Sequence, residues 1–455
     1  MGGRTVLGLG GSGSQPAARR GAVASWCLYD WANSAFTTLV VTFVYATYFS
    51  QTFAEDADRG TALWSRGITI SSLIIAVVSP LLGAMADRSG LRRRFLVAAT
   101  LVSVGATACL AFVVPGSGNA VLSALTLFVI ANVGFEVGMV FYNAFLPQLS
   151  TPRTIGRLSG YAWGLGYAGG LACLVVALLG LIGLGEAAPW LPLSTEDGFN
   201  VRASNLLVAG WFLLFSLPAL VLLRDTITPR GDRGKPRGDA ADRGLVASVR
   251  GAFQDLGRTL TRIRDFRDIV RFLIARLIYN DGLITVFAFG GVYAAGTFGM
   301  DTAEVIVFGI ALNVAAGLGA FLFGLVDDRL GGRTTVLWSL VGLFVCSLVA
   351  VAAPNKAWFW GAALVLGLFM GPNQSASRSL MGRFAPKRYE SEFFGFFAFS
   401  GKATAFLGPL LLGLITAGYG QRAGIAVVLV FFLVGGLLLL RVDEARGIER
   451  AARSA

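Results

Sequence analysis

A chain without a single histidine has few ways to hold or move a proton. Histidine relays, histidine metal ligands and Ser-His or Cys-His nucleophile pairs are excluded, which leaves carboxylates, Lys, Arg and Tyr. The charged residues that stand inside apolar runs are Asp30, Glu136, Arg276, Asp281 and Lys402. An ionised group in such surroundings is costly unless it is paired or wetted, so each is a functional candidate by default. Asp30 and Asp281 have the chemistry of a proton carrier or of a ligand for an ammonium group; the alternative is a structural pair with Arg276 or Lys402. Lys402 has the chemistry to hold a carboxylate, or to neutralise Glu136 permanently. Arg276 stands about five residues into its run, where a long side chain snorkels to the interface, so it is expected as an anchor or gate pair. Tyr29, Asn33, Asn143, Tyr279, Asn280, Asn373 and Gln374 complete the polar set expected to bind substrate or couple protons, with Trp26, Trp31 and Trp163 as wall or packing.

Other chemistries find no support. Cys27, Cys109, Cys173 and Cys346 lie in apolar stretches without CxxC spacing, so neither a disulfide framework nor a metal site is expected. No Gly-x-x-x-x-Gly-Lys-[Ser/Thr] run occurs, so ATP is not expected to drive the protein, and no cofactor and no enzymatic activity are expected.

The elements that must position these residues follow from composition. The 455 residues are 55% hydrophobic and only 14% charged, which excludes a cytoplasmic enzyme and a disordered chain. Apolar segments long enough to span a bilayer fall near 21–50, 64–85, 95–114, 120–143, 156–184 and 204–223, then near 269–297, 303–326, 334–353, 357–377, 391–417 and 422–440. Only helices or closed barrels satisfy backbone polar groups in lipid, and these segments are too long for barrel strands. The expected fold is therefore an all-α membrane protein of twelve transmembrane helices in two six-helix bundles, 21–224 and 269–441, joined by a basic linker at 225–268. A flexible cytoplasmic tail is expected at 1–20 and a cytoplasmic tail at 442–455.

Of the 38 Lys and Arg, 31 fall on one side of this map if the N-terminus is inside, five fall outside and two lie within spans. By the positive-inside rule both termini and the linker are expected to be cytoplasmic. The same distribution accounts for a net charge of +12 without nucleic acid. In the linker, Val249, Ala252, Phe253, Leu256, Leu260 and Ile263 recur at helical spacing opposite Arg250, Arg258, Arg262 and Arg264. They predict an amphipathic helix lying on anionic lipid or strapping the bundles from below.

The halves repeat. GAMADRSGLRR (83–93) follows the second span and GLVDDRLGGR (324–333) follows the eighth, while Tyr29-Asp30 in the first span matches Asn280-Asp281 in the seventh. Two parallel six-span repeats are the architecture of major facilitator transporters. The turn G-x-x-x-D-R-x-G-x-R resembles the signature loop of that superfamily, where it latches the cytoplasmic side shut. By that resemblance Gly83, Asp87, Arg88 and Arg92, with Gly324, Asp328, Arg329 and Arg333, form a cytoplasmic latch, to which Arg276 is added as a gate. Physically, the Gly permits close helix approach, the Asp meets the N-terminal end of a helix in the opposite bundle, and the Arg residues anchor the loop.

A narrower likeness lies in WCLYDWANSAF (26–36), FYNAFLPQLS (141–150), GYAWGLGYAGG (160–170), ARLIYNDGLIT (275–285), GPNQSASRS (371–379) and FFGFFAFSGKATAFLGP (393–409). These segments resemble the branch of the superfamily typified by autophagy-related vacuolar amino-acid effluxers and their bacterial relatives. The resemblance implies a multi-pass transporter of amino acids; the expectation is a monomer among membrane lipids that moves a small polar or zwitterionic metabolite, an amino acid above all, with protons. In a bacterium it would sit in the cell membrane. An exporter of lysolipids or drugs, and a non-transporting sensor with the same fold, are the alternatives.

Overall fold

The structure, a computed structural model, describes residues 15–183, 188–225, 251, 254, 257 and 266–453. Among these residues there is no strand. Twelve long segments follow one another: α1 (Gln15–Ala35), α2 (Ala57–Ser89), α3 (Arg92–Leu110), α4 (Ala120–Ala144), α5 (Ile155–Ala177), α6 (Ser204–Leu222), α7 (Arg267–Phe298), α8 (Thr302–Leu330), α9 (Gly332–Ala352), α10 (Lys356–Phe384), α11 (Glu390–Lys402, resuming at Leu407–Tyr419) and α12 (Val427–Leu439). A short α13 (Glu444–Arg453) follows.

Local chemistry sets several boundaries. The Asp56 side chain accepts the Arg59 amide at the start of α2, and Gly90 ends that helix at φ 66°. Asp301 and Glu304 form a reciprocal capping box at the start of α8. After Ala35, α1 passes through a π-helical stretch, Phe36–Phe43, before resuming at Tyr45–Thr52.

Among the described residues, ten helical stretches are long and apolar enough to cross a membrane, and α1 and α10 are not among them. Both carry polar residues in their second halves: Asp30, Asn33 and Ser34 in α1, Asn373, Gln374, Ser375 and Arg378 in α10. The outward faces are those a bilayer requires. Leu214 and Val221 on α6, Trp338 and Val341 on α9, and Val430 and Leu437 on α12 are all more than half exposed.

The first bundle, α1–α6, meets the second, α7–α12, through α2 against α11 and α5 against α8. The contact is close because small residues line it. A Cβ on Gly83 would strike the Ser391 carbonyl, and one on Gly160 would strike that of Ala320. Both loops that carry the repeated sequence lie at one end of the molecule, called the motif end below.

Two expectations about the chain need correction. Helix α1 begins at Gln15, so residues 15–20 are helical rather than a flexible tail. Helix α10 continues to Phe384, whereas a loop was expected from 378. Val249, Ala252, Phe253, Leu256, Leu260 and Ile263, with Arg250, Arg258, Arg262 and Arg264, proposed for the amphipathic linker helix, lie outside the described residues.

Candidate functional site

The chemistry-bearing residues gather where the bundles touch, in layers that run inward from the motif end. In the outermost layer the Asp87 carboxylate, fully buried, accepts the backbone amides of Ser391 (3.1 Å) and Glu392 (2.8 Å) in the first turn of α11. It thereby caps a helix of the other bundle, where free amides and the helix dipole favour an anion. Arg92 donates to Asp87 (3.1 Å), to Glu390 (2.8 Å), to the Ser391 hydroxyl (2.7 Å) and to the Ala144 carbonyl (2.7 Å). Gln148 joins the cluster through Glu390 at 2.9 Å.

The second loop repeats the device in weaker form. Asp328 accepts the Gly156 amide (2.8 Å) at the start of α5, and Arg157, half exposed, lies 3.3 Å from it. No arginine of α9 takes part. The loop between α8 and α9 is one residue shorter than that between α2 and α3, so Gly332, not Arg333, occupies the place of Arg92. A Cβ on Gly332 would stand 2.7 Å from the Arg383 guanidinium, which reaches in from α10 to bond Asp327. Arg333 corresponds to Arg93. Arg93 binds the Leu220 carbonyl beneath α6 and Arg333 binds the Leu440 carbonyl beneath α12. Arg333 is therefore a strut within the second bundle. Arg88 lies beside Gly251, and Arg329 is exposed at the end of α8.

One layer further in is a residue that the sequence reasoning left in a loop. Arg378 of α10 is completely buried, and the groups its guanidinium bonds belong to the first bundle. It donates to Asp30 (2.8 Å), to the Ser159 hydroxyl (2.8 Å) and carbonyl (2.7 Å), and to Asn143 (3.4 Å). Its guanidinium carbon lies 4.7 Å from the Trp163 ring and 4.9 Å from that of Trp26, within cation–π reach. Asn33 contacts the other oxygen of Asp30 at 3.3 Å. The partner of Asp30 is thus Arg378, not Arg276 or Lys402. The signal that could have found it is spacing: Gln374 and Arg378 stand four residues apart on one helix face. Both meet α5, Gln374 through the Tyr167 hydroxyl at 3.4 Å.

The third layer holds Lys402 and Glu136, 2.6 Å apart across the bundles and each partly exposed, with side-chain accessibilities of 26% and 19%. Arg276 stands next to them rather than at the latch. It donates to the Phe397 carbonyl (2.7 Å) and the Ser400 hydroxyl (2.9 Å) and stacks on the Phe397 ring. Lys402 ends the first half of α11, and the helix is broken between it and Leu407. Asn280 bonds the Gly401 carbonyl just before this break (3.0 Å), while its neighbour Asp281 is buried without an ion-pair partner among the described residues.

Three expected site residues point elsewhere. Tyr29 stacks on Tyr142 and bonds Thr100 within the first bundle, and Tyr279 bonds Ser377 within the second. Asn373 bonds Ser339 of α9. All three are buried inside one bundle, where the aromatic bodies fill the core.

Two six-helix bundles, closed on each other at one end by paired loop carboxylates and crossed by buried charges, define a major facilitator transporter, a class of solute carriers and not of enzymes. The solved structure of the proton:xylose symporter XylE bound to 6-bromo-6-deoxy-D-glucose superposes with a TM-score of 0.68, at 14% identity, over 95% of this chain and 96% of that one. The chain belongs to the family described as "Vacuole effluxer Atg22 like", whose model matches residues 61–452. Among its relatives, the MFS-type transporter YxiO of Bacillus subtilis (strain 168) is 28% identical over 92% of this chain and 94% of its own length. Autophagy-related protein 22 of Coccidioides immitis (strain RS) is 27% identical over 83% of this chain and 72% of its own length.

Proposed function

We propose that this protein is a secondary transporter that moves a zwitterionic metabolite, an amino acid, by alternating access and in exchange with or together with protons. The observation that carries the reading is the Glu136–Lys402 pair: opposite charges on opposite bundles, in contact and yet partly exposed. An amino acid offers an ammonium to Glu136 and a carboxylate to Lys402, so it replaces both partners at once and leaves neither charge uncompensated. A substrate with one charge satisfies only one side. The motif end is proposed to face the cytoplasm, since the basic loops cluster there, and the conformer described is then closed toward the cytoplasm.

The proton is assigned to Asp281. Asp30 and Glu136 each hold a cation, and protonating either forfeits an ion pair. Asp281 has no such partner among the described residues and lies beside the break in α11, so its protonation costs no pair.

The test is substrate discrimination in proteoliposomes. Lys402→Ala is expected to impair uptake of amino acids at least tenfold more than uptake of their amides, about the loss of one charge-assisted hydrogen bond. Asp281→Asn is expected to retain exchange and lose the response to a pH gradient. Equal impairment of acids and amides by Lys402→Ala, with recovery in Lys402→Ala/Glu136→Gln, would make the lysine a structural partner and end the zwitterion reading.

A further inference from the structure

At the motif end of the second bundle, where α7, α8, α9, α12 and α13 converge, there is an open cavity of about 660 Å3. Four of its lining residues are arginines: Arg271, Arg333, Arg441 and Arg446. Asp443 and Glu444 also line it, but their charges are engaged. Glu444 accepts the amides of Gly332 (3.1 Å) and Arg333 (2.9 Å) and lies 3.6 Å from Arg383. Asp443 caps α13 through the Arg446 amide, and the Arg446 guanidinium is paired with Asp268 at 2.6 Å.

What remains is a surplus of cation. Among the described residues the Arg333 guanidinium meets only the Leu439 (3.4 Å) and Leu440 (2.9 Å) carbonyls. Arg441 is exposed and has no carboxylate within salt-bridge distance among the described residues. Arg271 shares Asp268 at 3.5 Å and is 44% exposed. Thr334 also lines the cavity.

The cavity is continuous with apolar surface. Leu330 and Leu440 stand at its rim, each 55% exposed. Directly beyond, Trp338 and Val341 on α9 and Leu437 on α12 present bare faces, with Trp338 one helical turn past Thr334. Guanidinium forks below an aromatic side chain and two aliphatic helix faces match a ligand with a phosphate at one end and hydrocarbon at the other.

We propose that this cavity seats the phosphate head group of an anionic phospholipid whose acyl chains lie along α9 and α12. The bound lipid ties the feet of α7, α9 and α12 together, because Arg271, Arg333 and Arg441 come from those three segments or their ends. A soluble anion would use the arginines and leave the apolar faces idle.

The experiment uses the full chain purified in detergent. Retention of phosphatidylglycerol, of phosphatidylcholine with the same acyl chains and of inorganic phosphate is followed by native mass spectrometry. Quenching by phosphatidylglycerol with brominated chains is compared between the protein and Trp338→Phe. Phosphatidylglycerol is expected to be retained in clear preference to phosphatidylcholine, and part of the quenching is expected to vanish in Trp338→Phe. Arg441→Glu, at a side chain with no hydrogen bond or ion pair among the described residues, is expected to weaken phosphatidylglycerol retention about tenfold, the scale of one charge-assisted contact, with unchanged thermal stability in lipid-free detergent. Equal retention of the two lipids, an effect of inorganic phosphate equal to that of phosphatidylglycerol, or indifference of retention to Arg441→Glu would each overturn the proposal.

Discussion

Arg378 joins the halves more deeply than the loops do, and the four hydrogen bonds its guanidinium donates all go to acceptors of the other bundle. Removing one member of a buried pair leaves an uncompensated charge, which costs about 3–5 kcal/mol, whereas removing both costs far less. Arg378→Met and Asp30→Asn should therefore each lower the unfolding midpoint in detergent strongly, and the double variant should recover most of the loss. A strictly additive double variant would mean that the two side chains do not act as a pair. At this scale Asp30, Glu136 and Lys402 were legible because a charge inside an apolar run stands out. Arg378 was not, because Pro372, Asn373, Gln374 and three serines surround it and make the end of α10 look like a loop.

At the scale of elements, the two loop carboxylates do the same work with unequal support. Asp87 caps α11 and is held by the buried Arg92 at 3.1 Å; Asp328 sits at the start of α5, where the nearest guanidinium, that of Arg157 at 3.3 Å, is half exposed. Hydrogen bonds to a charged group are worth about 1.5–3 kcal/mol each, so Asp87→Asn should open the motif end further than Asp328→Asn. Spin-label distances between the loop after α2 and the start of α11 measure this, and equal opening by the two variants would contradict the inequality. Gly83→Leu should hold the bundles apart in the same assay, since any side chain there meets the backbone of Ser391. The repeat itself was visible in the sequence. The one-residue deletion inside it was not, since aligning the glycines pairs Arg92 with Arg333, and only the helix starts reveal that Gly332 stands in that place and that Arg383 fills it from another helix. The break in α11 did leave a mark: Pro409, preceded by Gly408, has no amide to bond the Ala405 carbonyl and crowds it, while Ala403, Thr404 and Ala405 by themselves are compatible with a continuous helix.

For the molecule as a whole, hydrophobic length and the two-fold repeat were enough to specify the architecture, because a bilayer leaves the backbone so few alternatives. Orientation rests on charge alone and is open to direct labelling. With Cys27, Cys109, Cys173 and Cys346 replaced, a cysteine at Thr151, in the exposed loop before α5, should react only from the cytoplasm, and one at Ser194 only from outside; reversed labelling would invert the map. The layered contacts explain why closure at the motif end and a partly exposed charge pair occur together: the latch and the Arg378 layer seal one side, while Glu136 and Lys402 keep contact with the space above.

The central claim is that this space carries a zwitterion from one side of the membrane to the other. The direct measurement is flux of a labelled amino-acid panel in proteoliposomes, with and without an imposed pH gradient. The account predicts that at least one amino acid crosses faster than in protein-free liposomes, that the pH gradient drives its accumulation, and that Asp281→Asn removes only the gradient dependence. Absence of flux for every amino acid in the panel, with the protein folded and correctly oriented, would contradict it.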